Sequence, residues 1–474
     1  MRPEENIPTI LVIFGATGDL AQRKLLPALF DLYEKEYLPT TFRIVGFSRG
    51  ARTREEFHDF VRDAIVRKKN RYSQKRLSVF LSRIFYQQGF FDQGVAYHDL
   101  ATTLITLDRE IGQCTNKLFH LAVSPSYYET ILKNLAHSGL TIPCSADAGW
   151  TRVLVEKPFG RDLETAQKLD QLLGKLFREE QIFRIDHYIA KETIQNILTF
   201  RFSNTIFEPV WNARYIEKVE IKLLEDIDVG TRGDFYDSVG ALRDVGQNHL
   251  LQMVAFVAME NPLKVNPDDI RAEREDVLSA IQPITGDAIA RDIRRGQYDG
   301  YRNENGAAAD SETETYFRIT AHINNERWRG VPFVLESGKA LAQKRTEIVV
   351  YFKETMPCFC PGQHEQHHHQ NVVTFRIQPS EGITIRFFAK QTGLETGIEP
   401  REFSFNYHRA QSKRDEPDAY EKVLFDCIRG DQTLFTSTKE VAAAWRFITP
   451  IIEQWHSVPL QIYKKGSGGP VKMV

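Results

Sequence analysis

The stretch TILVIFGATGDLAQRKL (Thr9–Leu25) decides the fold. An apolar run, Ile10–Phe14, suits a buried strand and breaks at Gly15. Gly15 can take the positive φ of a tight turn, and Gly18 lets backbone approach a pyrophosphate closely. A helix beginning near Asp19 then offers free N–H groups and the positive end of its dipole to phosphates. The spacing is not the commonest G-x-G-x-x-G, and two glycines in a plain turn look the same on their own. The surrounding pattern has to decide.

It does so through alternation. Strand-like runs recur at Phe42–Phe47, Ile84–Gln87, Lys117–Val123, Arg152–Val155 and Gln181–Ile185. Amphipathic segments such as Glu55–Val66 and Tyr127–Leu135 lie between them. This predicts a Rossmann-type, doubly wound parallel sheet with helices on both faces. The second run ends in Gly46-Phe47-Ser48-Arg49, where NAD enzymes usually carry an acid for the ribose 2′-hydroxyl. A guanidinium there suits a 2′-phosphate, which favours NADP over NAD.

After Leu198 the pattern changes. Strand-like segments at Lys218–Leu224, Thr315–Ile323, Glu347–Phe352, Val372–Ile377 and Ile383–Ala389 follow one another with few helices between them. They predict an α+β domain built on a large, mainly antiparallel sheet. A length of 474 residues suits two domains, 1–186 and 187–474. At their junction lies RIDHYIAKE (Arg184–Glu192), with an acid, an imidazole, a phenol and cations at a strand end. Open α/β folds put their chemistry at such ends. A long helix is expected over about Ser238–Met259, carrying Asp244 and His249 in RDVGQNHLLQM. A histidine beside Leu250 and Leu251 also fits plain core packing.

Charged residues make up 26% of the chain and the net charge is −2, so there is no electrostatic case for nucleic acid or a membrane surface. No apolar run spans a bilayer, no signal peptide is legible, and five scattered cysteines make no disulfide framework. The expectation is a cytoplasmic protein. Cys358, Cys360, His364 and His367–His369 match no common zinc spacing, so no metal is expected. Val441–Trp455 is apolar enough to pack under the second sheet, with Pro450 bending or interrupting it.

GATGDLAQRKLLPAL, RIDHYIAKE and DVGQNHLLQM together resemble the glucose-6-phosphate dehydrogenase family, whose first motif is usually GASGDLA. The resemblance covers nearly the whole chain. It implies NADP-dependent oxidation of glucose 6-phosphate at C1 to the lactone, the entry step of the oxidative pentose phosphate route, by a homodimer or homotetramer. It implies that Gly15, Ala16, Thr17, Gly18, Asp19, Leu20, Ser48 and Arg49 hold the coenzyme. Lys157, in EKP with a cis bond to Pro158, lies between coenzyme and sugar. His187, Tyr188 and Lys191 take the 6-phosphate, while Glu225, Asp244, Lys339 and Lys344 (or its neighbour Arg345) take the sugar. His249 is the implied general base. Asp186 is the candidate partner that fixes its tautomer. The chain departs from the family at Pro125, where two prolines are common, and at Gly246, where many members have Met. The tail KKGSGGPVKMV stops before the extension on which some animal members hold a second NADP, and no such site is expected. A different EKP-bearing sugar oxidoreductase would leave RIDHYIAKE and DVGQNHLLQM unexplained. A non-catalytic NADPH sensor on the same scaffold would need Gly15, Gly18 and Arg49, but not Asp186 and His249 together.

Overall fold

The computed structural model describes residues 7–69, 71–144, 149–354, 369–394, 397–407 and 417–470. Strands β1 (Thr9–Phe14), β2 (Phe42–Ser48), β3 (Ile84–Gln88), β4 (Asn116–Leu121), β5 (Thr151–Val155) and β6 (Ile182–Ile185) pair in parallel, in the spatial order β3-β2-β1-β4-β5-β6. Every residue of β1, β4 and β6 is buried, as expected of strands covered on both faces. Three of the intervening helices begin at side-chain caps, from Thr53, Ser73 and Asp162. Thr53 and Glu56 form a reciprocal capping box at the start of Arg54–Lys68. The strand order reverses between β1 and β4, which opens a crevice at their carboxyl ends. Gly15 sits there with φ +79°, and a Cβ on it would lie 2.4 Å from the Ala122 carbonyl oxygen. Glycine is required on both counts.

The second sheet carries β7 (Ile216–Leu224), β8 (Ile293–Tyr298), β9 (Tyr316–His322), β10 (Pro332–Gly338), β11 (Arg345–Phe352), β12 (Val372–Gln378), β13 (Gly382–Lys390) and β14 (Ile398–Asn406). Near the end of the chain, β15 (Phe435–Thr436) returns to the first sheet and pairs antiparallel with β6, while β16 (Leu460–Tyr463) closes the second. Among the described residues the second sheet runs β14-β13-β12-β11-β7-β10-β9-β8-β16. It is antiparallel apart from β7–β10 and β8–β16. Alternating burial along β7 and β9 marks one face turned to helices and one left open.

The helix expected over Ser238–Met259 is not one regular helix. Helix Gly233–Ala241 is interrupted at Gly240 (φ 69°), a π-helical turn follows over Leu242–Leu250, and an α-helix continues over Leu251–Ala258. The cause lies in a buried carboxylate from another segment. Glu314 Oε1 accepts from the Leu242 N–H at 2.9 Å and caps the restarted helix. A Cβ on Gly240 would meet that same oxygen at 2.4 Å. Gly246 has a packing reason too: a Cβ there would lie 2.8 Å from Leu242 Cδ1 and 2.9 Å from Phe317 Cζ. The glycine lets the π turn lie close against β9.

Pro450 does not interrupt its helix, which runs from Thr438 to Glu453. The proline falls in the closing turn, where little helix remains beyond it to disrupt. This helix packs chiefly on helices Leu163–Leu176 and Pro267–Ser279 and on the π turn, rather than under a sheet. The strand before it pins the end of β6, where Ile185 and Arg184 pair with Phe435 and Thr436. Arg184, 2% exposed, ties Asp170, Glu179 and Thr438 to the same place. The guanidinium is buried while the carboxylates of Asp170 and Glu179 stay partly exposed, so the anchoring comes chiefly from satisfying Arg184. Asp186 therefore follows a firmly held strand.

Candidate active site

Asp186 is the first residue after β6 and His249 lies in the π turn. They are 63 residues apart in sequence and meet at 2.6 Å, His249 Nδ1 to Asp186 Oδ1. The same oxygen accepts from the Tyr188 N–H at 2.9 Å. Each side chain is 2% exposed. Burial alone would raise the Asp186 carboxyl, but the charge and hydrogen bond of His249 outweigh it and hold it low. Burial pushes His249 below its ordinary value, Asp186 opposes this, and the nearby Lys157 ammonium adds to it. The result is a neutral imidazole with Nδ1 committed to a carboxylate and Nε2 left for chemistry.

Around this dyad the sequence-predicted polar residues pair by opposite charge. Lys157, whose bond to Pro158 is cis, donates to the Asp244 carbonyl at 2.7 Å and reaches its carboxylate at 3.2 Å. Burial would raise Asp244, but Lys157 and Lys339 keep it at about 2. Lys339 donates to Glu225. Tyr188 joins the group, its ring 4.3 Å from that of His249. Paired cations and carboxylates of this kind offer both donors and acceptors, as a ring of sugar hydroxyls requires.

A cleft of about 480 Å³ opens on the other side of Tyr188, and His187, Lys191 and Lys344 line it. Arg345 turns away to Gln343 and Glu347, so the lysine is the cation at the cleft. Lys191 lies 3.9 Å from Glu381. Burial, then the charges of His249 and Lys157, push His187 well below the usual imidazole range. His249 itself does not line this cleft; the rings of His187 (4.8 Å) and Tyr188 stand between.

The cleft also contains Lys24, Asp418 and Tyr420, which the sequence reading did not single out. Lys24 pairs with Asp418 at 3.2 Å, and Tyr420 stacks on His187. Lys24 was findable: it lies four residues after Leu20, one helical turn along the same motif, and Leu20 lines the cleft beside it. Asp418 reads in sequence only as a helix cap, which it is.

The coenzyme end is built differently. Ala16 is fully buried in the core, so a ligand there would meet backbone rather than its methyl. The Thr17 N–H donates to Ser48 Oγ at 3.3 Å, which fixes the turn against the end of β2. Asp19 pairs with Arg23 one turn along the helix, and both are exposed. Arg49 is exposed and makes no ion pair among the described residues. A glycine turn that a Cβ would fill, beside a guanidinium left for a phosphate, fits a phosphorylated dinucleotide. Of the cysteine–histidine segment, all but His369 lies outside the described residues; His369 packs on Phe388.

Comparison with known proteins points the same way. Residues 12–196 match the family description "Glucose-6-phosphate dehydrogenase, NAD binding domain", and 198–474 match "Glucose-6-phosphate dehydrogenase, C-terminal domain". The chain is 40% identical to glucose-6-phosphate 1-dehydrogenase of Chlamydia pneumoniae, over 99% of this chain and 94% of that protein. It is 38% identical to the Bacillus subtilis enzyme of that name, over 99% and 96%. A solved glucose-6-phosphate dehydrogenase in complex with its substrate glucose 6-phosphate superposes with a TM-score of 0.89 at 34% identity, covering 98% of this chain and 95% of that one.

Proposed function

The chain belongs to the glucose-6-phosphate dehydrogenase family, and from that premise we propose that His249, oriented by Asp186, is the base that drives its reaction. The reaction is the oxidation of D-glucose 6-phosphate at C1 to 6-phospho-D-glucono-1,5-lactone, the first step of the oxidative pentose phosphate pathway, with NADP as acceptor. NADP, when bound, takes up the hydride from C1. Hydride can leave only as the C1 hydroxyl gives up its proton, because the product carries a carbonyl. A neutral imidazole is a suited acceptor near pH 7. As His249 becomes a cation in a buried site, the carboxylate on its Nδ1 stabilises the charge and keeps Nε2 facing the substrate, the logic of a triad's third member. The observation that carries this reading is the buried 2.6 Å contact between those two groups.

Lys157 and Asp244 would orient the sugar hydroxyls, with Glu225 and Lys339 behind them. His187, Tyr188, Lys191 and Lys344 would hold the 6-phosphate in the cleft. The coenzyme would lie over Gly15–Leu20 with Ser48 and Arg49 at its adenosine end and Lys157 near its nicotinamide. Residues 1–186 then serve as coenzyme domain and 187–474 as substrate and oligomerisation domain. The exposed Phe403 and Phe405 on edge strand β14 support assembly as a homodimer or homotetramer. A cytoplasmic location belongs to the same reading; no helix among the described residues is long and apolar enough to cross a membrane.

Two outcomes follow here. Because burial lowers the proton affinity of His249, the acid limb of kcat/KM should fall below pH 6.5, with activity lost as pH drops through it. A pH–rate profile with its acid limb above that value would contradict the assignment. Lys191→Ala should raise the KM for glucose 6-phosphate about tenfold and leave kcat within a few-fold, since the lost charge is far from C1. Steady-state kinetics on the purified variant checks this, and a kcat loss at unchanged KM would remove Lys191 from the phosphate site.

A further inference from the structure

The dyad leaves one oxygen unaccounted for. Asp186 Oδ1 takes both hydrogen bonds given to that carboxylate, while Oδ2 is buried and meets no donor among the described residues. Behind it lies a cavity of about 10 Å³, walled by Phe159, Asn248, Gln252, Thr436 and Glu440, all of them buried. Gln252 Oε1 and Glu440 Oε1 share the condition of Asp186 Oδ2. Glu440 Oε1 lies 2.9 Å from Arg274 Nε without the alignment of a hydrogen bond. Gln252 is on the helix that continues the π turn, three residues after His249, and is 3% exposed.

Asp186 Oδ2, Gln252 Oε1 and Glu440 Oε1 are all acceptors, so whatever satisfies them must donate. A cavity of roughly 10–15 Å³ holds one water, which has two protons to give. A hard cation such as calcium takes about six to eight oxygen ligands, more than this cavity offers. We infer that Gln252 is a positioning residue: with Asp186 Oδ2 it holds one buried water, which donates to both and fixes the carboxylate against His249. The inference rests on the dyad reading above. A buried carboxylate oxygen without a donor is costly, and a donor on Oδ2 adds to the stabilisation of the anion that His249 and the Tyr188 N–H already provide. Gln252 supplies the second acceptor that holds the water in place, and it does so from the helix that carries His249.

The test uses the full-length enzyme. Gln252→Met keeps the length of the side chain and removes the acceptor. With its donor gone, the Asp186 anion is less stabilised and the dyad binds a proton more readily. The acid limb of kcat/KM should therefore move up by about one pH unit, and kcat at neutral pH should fall about tenfold. The KM for glucose 6-phosphate should not change, which separates positioning from a general loss of structure. An unshifted limb with unaltered kcat overturns the inference. A high-resolution crystal structure of the wild-type enzyme gives an answer that needs no variant. The expected result is one water at about 2.6–3.2 Å from both Asp186 Oδ2 and Gln252 Oε1. A direct bond from the Gln252 amide nitrogen to Asp186 overturns it. An inert Gln252→Met change in an enzyme that His249→Asn disables sinks this inference alone, whereas an active His249→Asn enzyme sinks the dyad beneath it.

Discussion

His249→Asn is expected to lower kcat by about 10²–10⁴-fold, the usual worth of a general base, while the KM for glucose 6-phosphate stays within a few-fold. Asparagine keeps a polar group of similar reach beside Asp186, so the buried carboxylate retains a hydrogen-bond partner and the fold is little disturbed. What it lacks is basicity. Sugar binding should persist, because the cleft proposed for the 6-phosphate is lined by His187, Lys191 and Lys344 and not by His249. Asp186→Asn should also lower kcat, by a smaller factor, because the imidazole survives without its orienting charge. A His249→Asn enzyme turning over within a few-fold of wild type would remove His249 from the mechanism.

The second large effect is expected at the opposite end of the coenzyme. Arg49→Ala should raise the KM for NADP about ten- to hundredfold and leave that for NAD nearly unchanged. The arithmetic is that of one charge-assisted hydrogen bond, roughly 1.5–3 kcal/mol. Arg49 directly follows β2, is exposed, and has no carboxylate partner among the described residues to lose when a phosphate arrives. Its carbonyl is held by Gln88 at 3.2 Å, so the backbone there is braced whatever the side chain is. Equal losses with NADP and NAD would show that Arg49 does not read the 2′-phosphate.

The first sheet was legible because its strands are buried on both faces. Ile10–Phe14 is apolar along its whole length and Phe42–Phe47 is broken only at the half-buried Arg43 and at Gly46, and such runs stand out. The second sheet was legible only in part. Strand β8, IRRGQY, is charged and interrupted by glycine, and β14 contains Pro400 and is largely exposed at an edge, so neither carries a hydrophobic pattern. Strand β10 sat inside a motif read for Lys339, and its partners come from β7 and β9, far apart in the chain. The break at Gly240 depends on Glu314, more than seventy residues later, and no local propensity encodes it.

For the site, the motifs named the chemistry and the fold supplied the company it keeps. Asp186 and His249 can be paired from sequence only through the resemblance of their two motifs to the family, because a histidine beside Leu250 and Leu251 also fits core packing. Asp418 and Tyr420 could not be joined to them in the same way, and Lys24 only by its place one turn after Leu20. Their shared cleft is made by helix Ala419–Arg429 returning to the first domain's opening helix, a long-range contact with no signature beyond a capping box. The cavity behind Asp186 is equally invisible in sequence, since Gln252 and Glu440 become neighbours only through packing.

The measurement that bears most directly on the central claim is the absorbance of reduced nicotinamide in four mixtures: glucose 6-phosphate or unphosphorylated glucose, each with NADP or NAD. Rapid reduction of NADP with glucose 6-phosphate is expected, with slower reduction of NAD and little turnover of glucose, which cannot use Lys191 and its neighbours. Binding of NADP with no reduction in any of the four mixtures would contradict the account and leave a coenzyme sensor on a dehydrogenase scaffold.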